Sequence, residues 1–163
     1  MVTASPTAAE IRAWLGQVPD PEIPVLSITD LGIVREVRCS DGITVVLAPT
    51  YSGCPATEVI ERSVVAALAA HGLENVRIER SVSPPWTTDW MTDEGRDKLR
   101  EYGIAPPEKG AGKRALLDGG RQVCCPRCGS ADSELVSEFG STACKAAYRC
   151  AACLEPFEYF KCI

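Results

Sequence analysis

The sequence predicts an α/β (α+β) protein: a small mixed-sheet domain with a βαβ crossover, then a smaller C-terminal domain closed around a metal ion. Three observations predict it. The segment from Ile33 to Val82 reads as hairpin, helix and strand in turn; two CxxC motifs sit near the C-terminus; and a stretch rich in Gly, Pro, Lys and Arg lies between. The 163 residues are 45% hydrophobic and 24% charged, enough for one domain of about 100 residues and a piece too small to fold without a metal or disulfides. A net charge of −5 argues against a broad nucleic-acid footprint. No run approaches the roughly 18 apolar residues of a membrane span. The start, MVTASPTAAEIRAWLGQVPD, has no basic n-region followed by an apolar core. The expectation is a cytoplasmic chain with no membrane partner, whose nine cysteines are reduced and, where clustered, bind metal.

The first helix is expected from about Thr7 to Val18, because Ala9, Ile11, Trp14, Leu15 and Val18 share one stripe, with Pro19 and Pro21 stopping it. DPEIPVLSITDLG then reads as an ordered loop. Ile33–Cys39 and Ile43–Ala48 are β-branched runs joined by Ser40, Asp41 and Gly42, a hairpin signal. A second helix is expected from Pro55 to His71, with Ile60, Val64, Ala67 and Leu68 inward, Glu58 and Arg62 paired outside, and Gly72 just past its end. Val76, Ile78 and Val82 alternate with polar residues as a strand, and strand–helix–strand at this spacing implies a right-handed parallel crossover. SPPWTTDWM follows as a loop, then a short helix with Thr92 as N-cap and Gly103 closing it. The expected domains are 1–104 and 124–163, with 105–123 as linker.

Cys125, Cys128, Cys150 and Cys153 form CPRC and CAAC, with 21 residues between the pairs. A tight CxxC turn converges two thiolates on one tetrahedral ion at about 2.3 Å and aims backbone N–H groups at the sulfurs. A closed structural zinc, in a zinc-ribbon-like domain, is the leading expectation; a rubredoxin-like iron site or an iron–sulfur cluster uses the same ligands. Cys124, Cys144 and Cys162 nearby are read as packed thiols, with a second thiol function as the alternative. Phe139, Tyr148, Phe157, Tyr159 and Phe160 are expected to build the ribbon's own strands and core.

Cys54 stands before the second helix in Thr50-Tyr51-Ser52-Gly53-Cys54-Pro55. Unpaired N–H groups and the helix dipole there predict a lowered thiol pKa and a reactive or metal-binding thiolate, against the alternative of a packed cysteine. Asp20, Glu22 and Asp30 lie in a loop that could fold back over this helix start, either to tune the thiol or to cap backbone amides. The single histidine, His71, reads as a cation near a helix C-terminus, which argues against a Cys–His hydrolase or a histidine-based di-iron oxygenase. Trp86, Trp90 and Met91 are read as a partner surface, with packing over the sheet edge as the alternative.

DPEIP at Asp20–Pro24, DLGIV at Asp30–Val34 and T-x-x-x-C-P at Thr50–Pro55 resemble the domain shared by SufT-type and eukaryotic cytosolic iron–sulfur assembly factors. Together with SPPWTTDWM and FGSTACKAAYRCAACLEPFEYFKCI, the chain resembles over nearly its whole length the PaaD family, small subunits encoded with bacterial phenylacetyl-CoA epoxidase. The resemblance implies an accessory component, not an enzyme. It would help assemble or repair iron–sulfur or di-iron centres in the epoxidase, with oxygenase and reductase subunits as partners. It makes Cys54 the reactive thiol, supported by Thr50, Asp20 and Glu22, with iron or a cluster as a transient guest beside structural zinc. A scaffold with no part in iron handling is the rival reading, and homo-oligomerisation stays open.

Overall fold

The computed structural model describes residues 5–51, 53–110 and 122–161; Ser52, Cys162 and residues 111–121 of the expected linker lie outside them. The chain divides into two compact units after Trp86.

In the first unit, α1 (Ala8–Leu15) opens on a capping box. Thr7 Oγ1 accepts from the Glu10 N–H at 3.2 Å, and the Glu10 carboxylate accepts from the Thr7 N–H at 2.8 Å, so two orphan donors are satisfied reciprocally. The proline- and acid-rich stretch after it is an ordered loop that contributes core: Ile23, Leu26, Ile28 and Leu31 are buried. Its ends are tied by backbone bonds from Asp20 to Leu26 (2.8 Å) and from Ile28 to Val18 (3.0 Å). Strands β1 (Val34–Arg38) and β2 (Ile43–Leu47) form the expected antiparallel hairpin, with Gly42 at φ 90 in the turn, a conformation that favours glycine. Helix α2 (Thr57–Ala69) buries Ile60, Val64 and Leu68 and carries the chain across to β3 (Val76–Arg80), which pairs parallel to β2. The sheet order is β1-β2-β3, mixed as expected, with the βαβ crossover in place.

Trp86 is buried and its indole N–H donates to the Leu31 carbonyl at 2.9 Å. Met91, in the second unit, is buried as well. These two therefore pack inside their units and correct the expectation of a partner surface there. His71 stacks its ring on Trp14, centroids 4.0 Å apart and 4° from parallel.

In the second unit, a short 3-10 turn (Thr88–Trp90) precedes α3 (Asp93–Tyr102), capped by Thr92, whose Oγ1 accepts from the Gly95 N–H at 3.0 Å. Gly103 closes the helix at φ 92. The chain then enters β4 (Ile104–Ala105), which pairs parallel with β7 (Pro156–Phe160). With β5 (Ser133–Ser137) and β6 (Lys145–Cys150), the sheet runs β4-β7-β6-β5. This compact unit starts at Thr87, whereas the expectation ran the first domain to 104 and began the second at 124; β4 joins the stretch after α3 to the ribbon sheet. Buried Arg96 fastens the same stretch: it donates to the carbonyls of Met91 (2.5 Å), Thr88 (2.7 Å) and Pro107 (3.1 Å). No helix among the described residues is long and apolar enough to cross a membrane.

Candidate functional site

Two groups of side chains carry chemistry, one in each unit. In the first, β2 ends at Leu47 and the chain turns through Pro49, Thr50 and Tyr51 to Cys54, just before α2. The C-terminal end of a parallel strand pair is where α/β sheets place ligands, since the chain must leave the sheet there and opens a crevice. A groove of about 410 Å3 lies at that place, lined by Pro49, Cys54, Pro55, Thr57, Glu58, Arg80 and Val82. Arg80 is held as a two-point pair by Glu61, with Nη2 to Oε2 at 2.9 Å. Cys54 and Pro55 come from the T-x-x-x-C-P motif, whereas no local motif marks Arg80 and Val82.

Cys54 is half-buried, and Thr50 is half-buried four residues earlier. Helix α2 begins at Thr57, two residues after the expected Pro55. Its first turn is entered through a backbone bond from the Thr57 N–H to the Cys54 carbonyl at 3.2 Å. The thiol pKa is raised, opposite to the expected lowering. Burial pushes it up, and the Glu22 and Asp20 carboxylates push the same way; the hydrogen bonds with the Ala56 backbone and the Thr57 side chain pull back without winning. The acidic loop thus folds back near the helix start as expected. Asp20 also caps backbone: its Oδ1 accepts from the N–H groups of Glu22 (2.9 Å) and Ile23 (2.8 Å). Asp30 does the same for Ser27 at 2.9 Å.

The second group is Cys125, Cys128, Cys150 and Cys153, whose sulfurs all lie within 4.8 Å of one another. Cys125 Sγ stands 3.7 Å from Cys153 Sγ, and Cys128 Sγ 3.6 Å from Cys150 Sγ. A tetrahedral ion with bonds of about 2.3 Å separates its sulfurs by about 3.8 Å, so the donor set fits a four-coordinate metal. The knuckles are shaped for it. Gly129 at φ 74 follows the first, and its N–H donates to the Cys125 carbonyl at 2.9 Å. Leu154 at φ 63 follows the second and donates likewise to Cys150 at 3.0 Å. The Cys153 N–H points at Cys150 Sγ at 3.4 Å. That donor, with the Ala152 N–H and the neighbouring sulfurs, draws the Cys150 thiol down to about 7 against its desolvation. Cys153, despite the Glu155 N–H that pulls the other way, is pushed up to about 12 by desolvation and the sulfurs of Cys150, Cys128 and Cys125. Sulfurs this crowded cannot all ionise without a cation among them.

Cys124 and Cys144 stand outside this group: Cys124 is exposed, and Cys144 is buried with its sulfur 3.1 Å from Thr142 Oγ1. Tyr148, Phe157, Tyr159 and Phe160 build the ribbon core as expected, Tyr148 packing on Phe157 and edge-on to Tyr159. Phe139 does not; it is 66% exposed, with Lys161 Nζ 4.5 Å above its ring. Sequence reasoning also missed an ion pair between buried Lys145 and half-buried Glu158. Lys145 Nζ meets Glu158 at 2.9 Å, and Glu158 holds the Ser141 N–H at 2.5 Å.

Comparison with known proteins matches each unit to a family. Residues 8–79 match the model described as iron–sulfur cluster assembly protein, and residues 109–161 match the PaaD zinc beta ribbon domain. The chain is 53% identical over 161 residues to a putative 1,2-phenylacetyl-CoA epoxidase subunit of Escherichia coli (strain K12), covering 98% of this chain and 96% of that one. It is 35% identical over 96 residues to an Fe–S protein maturation auxiliary factor of Porphyromonas gingivalis (strain ATCC BAA-308 / W83), covering 57% of this chain and 90% of the relative. Among solved structures, a domain of unknown function from Bacillus anthracis superimposes with TM-score 0.52 at 25% identity, over 56% of this chain and 90% of that domain. The chain belongs to the PaaD family, an iron–sulfur assembly domain carrying a zinc ribbon behind it.

Proposed function

We propose that this chain is a cytoplasmic maturation component of a phenylacetyl-CoA epoxidase system. In this reading it offers Cys54 to iron or an iron–sulfur cluster in transit to an oxygenase or reductase subunit, while a zinc-bound ribbon docks the client. The observation that carries the reading is the pairing of Cys54 on a groove wall with the Asp20 and Glu22 carboxylates, close enough to act on its charge. A thiol kept protonated by burial, with two carboxylates adding to the effect, is a poor nucleophile and a serviceable metal ligand. An arriving cation is attracted by those carboxylates and displaces the thiol proton, so the two charges that add to the burial effect on the free thiol favour the metal-bound one. Zinc in the ribbon is supported by the sulfur spacing and by the family match.

The scaffold reading is favoured by one observation, the raised thiol pKa, which suits a cysteine with no chemistry at all. Cys54→Ser separates the two. The oxygenase and reductase subunits are produced with the wild-type chain, with the variant and with neither, and their iron and cluster contents are measured. Maturation expects clients short of iron or cluster with the variant and without the chain; equal occupancy in all three preparations ends it.

A further inference from the structure

The two cysteine knuckles share an asymmetry: each buries its first cysteine, Cys125 or Cys150, and exposes its second, Cys128 or Cys153. Close sulfur approaches cross from one knuckle to the other, Cys128 to Cys150 at 3.6 Å and Cys153 to Cys125 at 3.7 Å. Each of these pairs therefore joins an exposed cysteine to a buried one. Several of the hydrogen bonds around them do not involve the sulfurs. The Ala151 N–H donates to the Asp132 carbonyl at 2.9 Å, Cys150 pairs with Ser133 in the β5–β6 ladder, and Ser133 Oγ donates to the Val123 carbonyl at 2.6 Å.

We propose that these four cysteines are an oxidation site as well as a metal site: a peroxide converts the metal clasp into two disulfides, Cys128–Cys150 and Cys125–Cys153, that hold the ribbon closed after the ion has gone. The inference rests on the zinc reading above. An exposed thiolate attacks one peroxide oxygen, the O–O bond breaks, and the departing oxygen leaves as water with protons from solvent, giving a sulfenic acid. The buried thiolate across the gap attacks that sulfur; an S–S bond forms, the S–O bond breaks, and hydroxide takes a proton and leaves as water. Two thiolates lose two electrons and one peroxide gains them. A zinc ion held by the four cysteines would lose two ligands in this step and, its charge unchanged, would be released to water. The remaining pair consumes a second peroxide in the same way. Disulfides inside each CxxC would leave the two knuckles unlinked; the crossed pairing ties them together.

The test uses the full-length, zinc-loaded chain with Cys39→Ser and Cys124→Ser, which remove two exposed thiols outside the site. Hydrogen peroxide is added beside a chromogenic zinc chelator, and zinc release, thiol loss and β-sheet circular dichroism are followed. The expected result is about one zinc released per chain, about two thiols lost per peroxide consumed, and a retained β signal. Trypsin cuts after Arg127, Lys145 and Arg149, so crossed pairing joins both the peptide ending at Arg127 and the peptide 128–145 to the peptide 150–161. A link between the peptide ending at Arg127 and 128–145, oxidation without disulfides, or zinc retained with thiols intact overturns the inference and leaves the zinc reading standing. A chain that carries no zinc at the outset overturns both.

Discussion

Withdrawing the metal from the reduced chain should dissolve the ribbon and spare the first unit. One buried cluster in the ribbon groups Ala105, Val123, Cys125, Cys150, Phe157 and Tyr159, so two of its six members are themselves metal ligands. A four-cysteine zinc site contributes about 10–16 kcal/mol to folding at neutral pH. Whole domains are stable by only about 5–15 kcal/mol, so losing the ion exceeds what the remaining aromatics can hold. The perturbation is a strong chelator under reducing conditions, with zinc loss verified by atomic absorption. Amide hydrogen exchange then reads β5, β6 and β7 against β2 and α2 as an internal control. The ribbon amides are expected to lose protection while the control amides keep theirs. Protected β5–β7 amides in verified metal-free, reduced protein would refute the idea that the ion holds this fold.

Alkylation of Cys54 should climb with pH to a midpoint above that of a free cysteine, because only the thiolate reacts and the raised pKa delays it; Glu22→Gln, removing one raising charge, should bring the midpoint down and quicken the reaction at fixed pH, and a midpoint at or below free cysteine would contradict the environment described. By linkage, the unfolded thiol ionises first, so this cysteine costs the folded unit stability as pH rises from the free-thiol value through the raised one. Gly140→Ala should destabilise the ribbon by about 1–3 kcal/mol in chemical denaturation, since its Cβ would stand 2.5 Å from Glu158 Oε1 and 3.3 Å from Lys145 Cβ, beside a half-buried ion pair. Arg96→Met should cost about 3 kcal/mol or more by the same assay, because the Thr88, Met91 and Pro107 carbonyls lose their donor together. A change under about 0.5 kcal/mol, the range of ordinary surface substitutions, would show that Arg96 is not the fastener.

What was legible in the sequence was what neighbours in the chain decide. Thr7 and Thr92 cap their helices because a hydroxyl and an N–H three residues on are enough. The β2–α2–β3 crossover and the cysteine quartet follow from period and spacing, each local to a few turns. The rest depended on partners far away. Ile104–Ala105 is a strand only because β7, some fifty residues on, accepts it. Whether Trp86 faced solvent or core was set by the Leu31 carbonyl that receives its N–H. The Cys54 expectation erred in sign for the same reason: the dipole of a helix start is a local cue, whereas burial and two carboxylates from residues 20 and 22 arrive through the tertiary fold.

The strip formed by Ile104 and Ala105 also fixes where the tail can be cut. Because the sheet runs β4-β7-β6-β5, a fragment starting at Cys124 would strip β7 of its outer neighbour and turn an interior strand into a raw margin. Such a margin, carrying Phe157, Tyr159 and Phe160, invites pairing with other molecules. A transplantable tail therefore starts near Thr87, far upstream of its first metal ligand, and shuffling this module between proteins has to move α3 along with it.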